Sequence, residues 1–164
     1  MSSPPMRRNR DAVEGLPMTL MVTMIILAIT LPMIFGALRS YDRARVESSL
    51  ISEIEGFMGV VQQLYVSGPG NSARIEFNAM SGSMTGVEYV ILGDEPGGSM
   101  ASVIRYKLQN APEKAMAISS PNVPLGSWAD SAFSIQSGKY FIRAECTTVP
   151  GEVPAVMVLL ELAQ

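Results

Sequence analysis

The sequence predicts an α+β chain: a long N-terminal hydrophobic helix, then a small all-β, sandwich-like domain of about six or seven strands. Three observations predict it. Leu16 to Leu38, LPMTLMVTMIILAITLPMIFGAL, is free of charged residues and is the only stretch of the chain long enough to cross a bilayer. Residues 39–66 lack proline and keep a helical spacing of apolar residues. After Gly70 the apolar period drops to two, the signature of strands.

Residues 1–12 form a polar leader with Pro4-Pro5 and a basic run, Arg7-Arg8-Asn9-Arg10. A cationic flank before an apolar stretch marks a cytoplasmic end by the positive-inside rule. The helix is expected over residues 13–66, with residues 16–38 as the transmembrane part. Pro17 suits a first helical turn, where its missing N–H costs nothing. Pro32 is interior; a kink is expected there, with Thr30 or a neighbouring helix serving the freed carbonyl.

Residues 39–66 read as an amphipathic stalk. Val46, Leu50, Ile54, Phe57, Val61 and Leu64 form one stripe, and Glu47, Glu53, Glu55, Gln62 and Gln63 fall elsewhere on the wheel. The stripe packs against the protein's own β-domain, against copies of itself, or both. Gly56 and Gly59 lower helix propensity by about 1 kcal/mol each relative to Ala. They imply close approach of another backbone, or a bend. Ser67-Gly68-Pro69-Gly70 ends the helix. At 1.5 Å per residue, Leu16 to Val66 would be about 75 Å long.

The β-domain is expected over residues 71–164. Its runs are Ile75 and Phe77; Val87, Tyr89 and Ile91; Ile104, Tyr106 and Leu108; Met116 and Ile118; Phe133 and Ile135; Tyr140 to Thr147; and Val156 to Leu162. Ser137-Gly138 reads as a hairpin turn joining the fifth and sixth runs. The last run is apolar on both faces apart from Glu161, which suits a central or docked strand. Residues 119–130, with Pro121, Pro124 and Gly126, read as an irregular connection.

Composition narrows function. From Val46 onward there are six basic and twelve acidic residues, a net of −6, so nothing electrostatic favours nucleic acid. The chain has no histidine, which removes the usual general base and the commonest metal ligand. No nucleophile elbow, phosphate loop, zinc motif or CxxC occurs. No enzyme activity, cofactor, metal or small-molecule substrate is expected. Asp94 and Glu95 sit in a Gly-rich loop that reads as a solvated turn rather than a cation site. Cys146, the single cysteine, alternates with Ile142 and Ala144 and should point inward. Trp128 reads as a plug at the edge of the core or as an exposed contact.

The basic leader, the single helix that begins in the membrane and continues beyond it, and the C-terminal β-domain resemble the archaeal type IV pilin-like proteins, archaellins among them. In such proteins a prepilin peptidase removes the leader and the apolar helix stays to build a filament core. The resemblance implies cleavage between Ala12 and Val13. Gly15 then falls at the third mature position, similar to the archaellin pattern. Glu14 is either a favourable charge at a helix N-terminus or a counter-ion to a neighbouring subunit's N-terminal amine, setting register. The implied partners are the membrane, copies of the chain or other pilin-like subunits, and the prepilin peptidase. The chain would be single-pass, N-terminus cytoplasmic and β-domain extracellular, or part of a cell-surface filament. The alternative is a membrane-anchored envelope protein whose β-sandwich binds a partner from a helical stalk. A removed secretory signal is a third reading. The stretch is long for a signal h-region, and Phe35-Gly36-Ala37 is a poor small-x-small site.

Overall fold

A computed structural model describes residues 11–94, 98–127, 132–148 and 154–161. The chain falls into two compact units, residues 1–40 and 41–164. One helix, α1 (Asp11–Ser67, 57 residues), runs through both. Among the described residues it is followed by eight strands in two four-stranded sheets. This is the α+β layout that the change of period predicts.

In the first unit the helix makes its own use of its polar side chains. Thr30 donates its hydroxyl to the Ile26 carbonyl at 2.9 Å, and Thr23 donates to the Leu20 carbonyl at 2.9 Å. Pro32 frees the carbonyl of Ala28, four residues back. Thr30 therefore does not serve that carbonyl, as its spacing had suggested; its hydroxyl reaches one helical turn toward the N-terminus, the usual back-bond of a helical threonine.

The strands of the second unit are β1 (Ser72–Ala79), β2 (Val87–Leu92), β3 (Val103–Leu108), β4 (Lys114–Ala117), β5 (Leu125–Ser127), β6 (Phe133–Ile135), β7 (Gly138–Thr147) and β8 (Ala155–Glu161). One sheet has the order β1-β7-β8-β5 and the other β4-β3-β2-β6. Alternation sends Ile75, Phe77 and Ala79 of β1, Ile104, Tyr106 and Leu108 of β3, and Ile142, Ala144 and Cys146 of β7 into one core. The final run is central, with β8 antiparallel to β7 and parallel to β5. Its Val156, Met157 and Val158 are all buried, as a strand apolar on both faces requires.

Two local expectations are corrected. Ser137-Gly138 does not close a hairpin. β6 pairs with β2 and β7 pairs with β1, so the dipeptide carries the chain from one sheet to the other. The Ser137 hydroxyl lies 2.6 Å from that of Ser81 and donates to the Ala79 carbonyl at 3.2 Å, which fixes the crossing. The connection expected over residues 119–130 contains β5, held by Leu125 N–H to the Ala101 carbonyl at 2.7 Å and by Val156 N–H to the Pro124 carbonyl at 2.9 Å.

Residues 41–67 of α1 are a wall of this same core. The six stripe residues, Val46, Leu50, Ile54, Phe57, Val61 and Leu64, are all buried, none more than 7% exposed. The Phe57 ring meets Phe77 of β1 edge-on, with centroids 6.1 Å apart. The helix also bonds to β1 and to β3, β4 and their neighbourhood. Glu53 accepts from the Asn78 N–H at 3.4 Å, and Gln62 donates to the Ser119 carbonyl at 3.0 Å. Glu47 accepts from the Tyr106 hydroxyl at 3.3 Å and pairs with Lys114. Glu53 thereby engages one backbone N–H of β1, an outer strand of its sheet. Gly68, at φ 86°, ends the helix in the left-handed region.

Candidate functional site

The first candidate is the apolar half of α1. From Met18 to Leu38 its large hydrophobic side chains are exposed, between 45% for Leu31 and 72% for Met33. It lies in the one described helix that is long and apolar enough to cross a membrane. An exposed apolar surface of that extent is far beyond what a monomer in water tolerates, so lipid or another protein surface must cover it.

Ala12, Val13, Glu14 and Gly15 lie in the opening turns of α1. The basic run of the leader, at residues 7–10, lies outside the described residues. So do Glu95 and Trp128. Asp94 is described: its N–H points to the Leu125 carbonyl at 3.5 Å, which ties the loop after β2 to β5. Among the described residues no group of three or more His, Cys, Asp or Glu could hold a metal ion. Cys146 faces the core as its alternation predicts, and burial pushes its thiol above the ordinary 9.0.

The second candidate was invisible to motif reading. It is the short helical segment Tyr41–Glu47 at the start of the second unit. Asp42 accepts three consecutive backbone amides of the loop before β2: Met84 and Thr85 at 2.8 Å each and Ser83 at 3.2 Å. These bonds, Met84's foremost, hold its carboxyl below the ordinary 3.8 against the opposing effect of desolvation. The approach is close enough to require glycine next door. A Cβ on Gly82 would lie 2.6 Å from both Asp42 carboxylate oxygens and 2.7 Å from Val46 Cγ2. Glu47, one turn on, is held below its ordinary 4.5 by Lys114 first, with Tyr106 and Arg43 adding to the effect.

Tyr41 is 71% exposed and Met84 47%; between the two engaged carboxylates in sequence come Arg43, half-buried, and Arg45, exposed. With Arg39 they give the downstream flank of the apolar stretch three arginines, as many as Arg7, Arg8 and Arg10 upstream. Arginine count alone therefore assigns no orientation to the helix.

The third candidate is the outward face of α1 within the second unit. Ala44, Ser48, Ser52 and Gly56 follow one another at intervals of four and are exposed, as is Gly59. A Cβ at Gly56 or Gly59 would meet nothing within 4 Å. Neither glycine is explained by a close approach within the chain, and α1 passes through both without interruption. Compared with known proteins, the chain matches no protein-family model, no curated protein and no solved structure.

Proposed function

We propose that this chain is a structural subunit, or a minor component, of an archaeal type IV pilus-like extracellular filament that assembles through its N-terminal hydrophobic helix. The observation that carries the reading is the exposed apolar surface from Met18 to Leu38. It is continuous with a helix whose other half is built into a folded domain. In lipid such a segment is a membrane span; leaving lipid, it would pack on the same segment of neighbouring subunits. The small exposed residues Ala44, Ser48, Ser52 and Gly56 support the reading, since such a row lets a second helix approach closely. In this role the leader is cut between Ala12 and Val13 by a prepilin peptidase, and Glu14 sets register. The β-domain faces the medium, and no catalysis or cofactor is involved.

A second reading has one observation in its favour. Arg39, Arg43 and Arg45 suit a helix that stays in the bilayer, its downstream arginines at the headgroups. The chain is then an anchored envelope protein with a β-sandwich binding domain. Mass spectrometry of the membrane-extracted protein separates the two. The filament reading expects a mature chain beginning at Val13, and expects Gly15→Phe to retain the leader while the β-rich circular dichroism is unchanged. A mature mass that still includes residues 1–12 in cells with a prepilin peptidase counts against it.

A further inference from the structure

We propose that Tyr41, Arg43 and Arg45 of α1, together with Met84, form a seat for anionic lipid headgroups. The proposal rests on residues 18–38 spanning a bilayer, and is independent of whether filaments form.

Position is the first argument. At 1.5 Å per residue, residues 18–38 rise about 31 Å, close to the roughly 30 Å of a hydrocarbon core. Tyr41 to Arg45 follow in the same unbroken helix, about 4 to 10 Å further on, which is headgroup depth. Within the second unit, the Met84 N–H is held 2.8 Å from the Asp42 carboxylate, which keeps the loop before β2 beside this segment of α1.

Charge is the second argument. Basic residues beyond Val46 are engaged by the domain itself: Arg105 with Glu113, Lys107 with Glu88, Lys114 with Glu47, Lys139 with Glu76 and Arg143 with Glu145, each within 4.0 Å. Arg74 stacks over the Phe141 ring at 4.5 Å. Arg45 makes no ion pair among the described residues. Its nearby acids are engaged inward, Asp42 by three amides and Glu47 by Lys114 and Tyr106. This end adds positive charge, with Arg45 exposed and Arg43 half-buried, to a unit that is otherwise acidic. A negatively charged surface would attract this end and repel the rest.

Chemistry is the third argument. A guanidinium fork matches phosphate oxygens, and a tyrosine settles where apolar and aqueous layers meet. Met84, whose N–H is held by Asp42, is exposed and adds an apolar side chain to the same segment. An acidic face of a second copy would satisfy the arginines but would offer nothing to Tyr41 and Met84.

The test uses the full chain reconstituted in phosphatidylcholine vesicles with a trace of spin-labelled phosphatidylglycerol or spin-labelled phosphatidylcholine. Electron paramagnetic resonance gives the motionally restricted fraction of each. Phosphatidylglycerol should be preferred at low salt. The preference should fall by up to about fivefold for each arginine removed in Arg45→Gln and Arg43→Gln/Arg45→Gln, and persist in Arg45→Lys. An inserted chain with equal preference in wild type and double variant overturns the seat and leaves the span intact. A chain that alkaline carbonate extracts overturns the span, and the seat with it. A nitroxide at Met84→Cys broadened by neighbouring labels, regardless of lipid charge, overturns the seat in favour of a second copy.

Discussion

Asp42 joins helix and loop through groups that no motif records. Its partners are backbone amides 41 to 43 residues away, so neither its identity nor that of Ser83, Met84 or Thr85 announces the bond. The stripe residues and Cys146 were readable because burial follows periodicity; a carboxylate that accepts distant N–H groups has no period. The bond has a pH signature. A carboxyl whose folded pKa is depressed contributes stability that is present above its ordinary value and is lost as pH falls through the folded value. For Asp42 that loss begins below about 3.8, and for Glu47, depressed by Lys114, below about 4.5. Thermal unfolding followed from pH 7 to pH 2 should show a flat neutral region and an acid decline. Asp42→Asn should lower the melting temperature at pH 7 and make the decline shallower. An identical acid limb in both proteins would mean that the clamp adds no stability.

At the scale of elements, α1 and most strands were readable because each covers a continuous apolar face. β5 was not: Leu125-Gly126-Ser127 is too short to show alternation, follows a proline, and exists by pairing in parallel with a strand some thirty residues later. The supposed hairpin failed for a related reason. Ser-Gly marks a reversal of the chain, and local sequence does not say which sheet receives each arm. Gly56 and Gly59 are weak points of the helix by propensity alone. With open space at both Cβ positions, Gly56→Ala and Gly59→Ala should each stabilise the protein by up to about 1 kcal/mol, measured by denaturant unfolding. A larger side chain then separates stability from assembly. Gly56→Leu should keep the melting temperature of the parent or raise it, yet abolish filaments in electron micrographs. Normal filaments from Gly56→Leu would show that the outward face of α1 is not where copies meet.

For the molecule as a whole, the question is where the folded unit begins. Change of period alone sets the boundary near residue 71, where strands start. Packing sets it at Tyr41, because the two sheets leave a core that six helical side chains fill. Burying each of these is worth about 1.5–3 kcal/mol, or about 9–18 kcal/mol together. A domain of this size has about 5–15 kcal/mol of net stability, so the helix is not optional. Deleting it would also strip Glu53 from the β1 edge and Gln62 from Ser119. A chain beginning at Tyr41 should therefore be soluble, elute as a monomer, and unfold in one cooperative transition with mixed helical and β circular dichroism. A chain beginning at Asn71 should aggregate or lack a transition, since Phe77 loses the Phe57 ring and Tyr106 loses Glu47. Cooperative unfolding of the shorter chain would show that the sandwich closes without α1. The residue 41–67 segment would then be a true stalk, free to trade its own sheets for the helices of neighbouring copies.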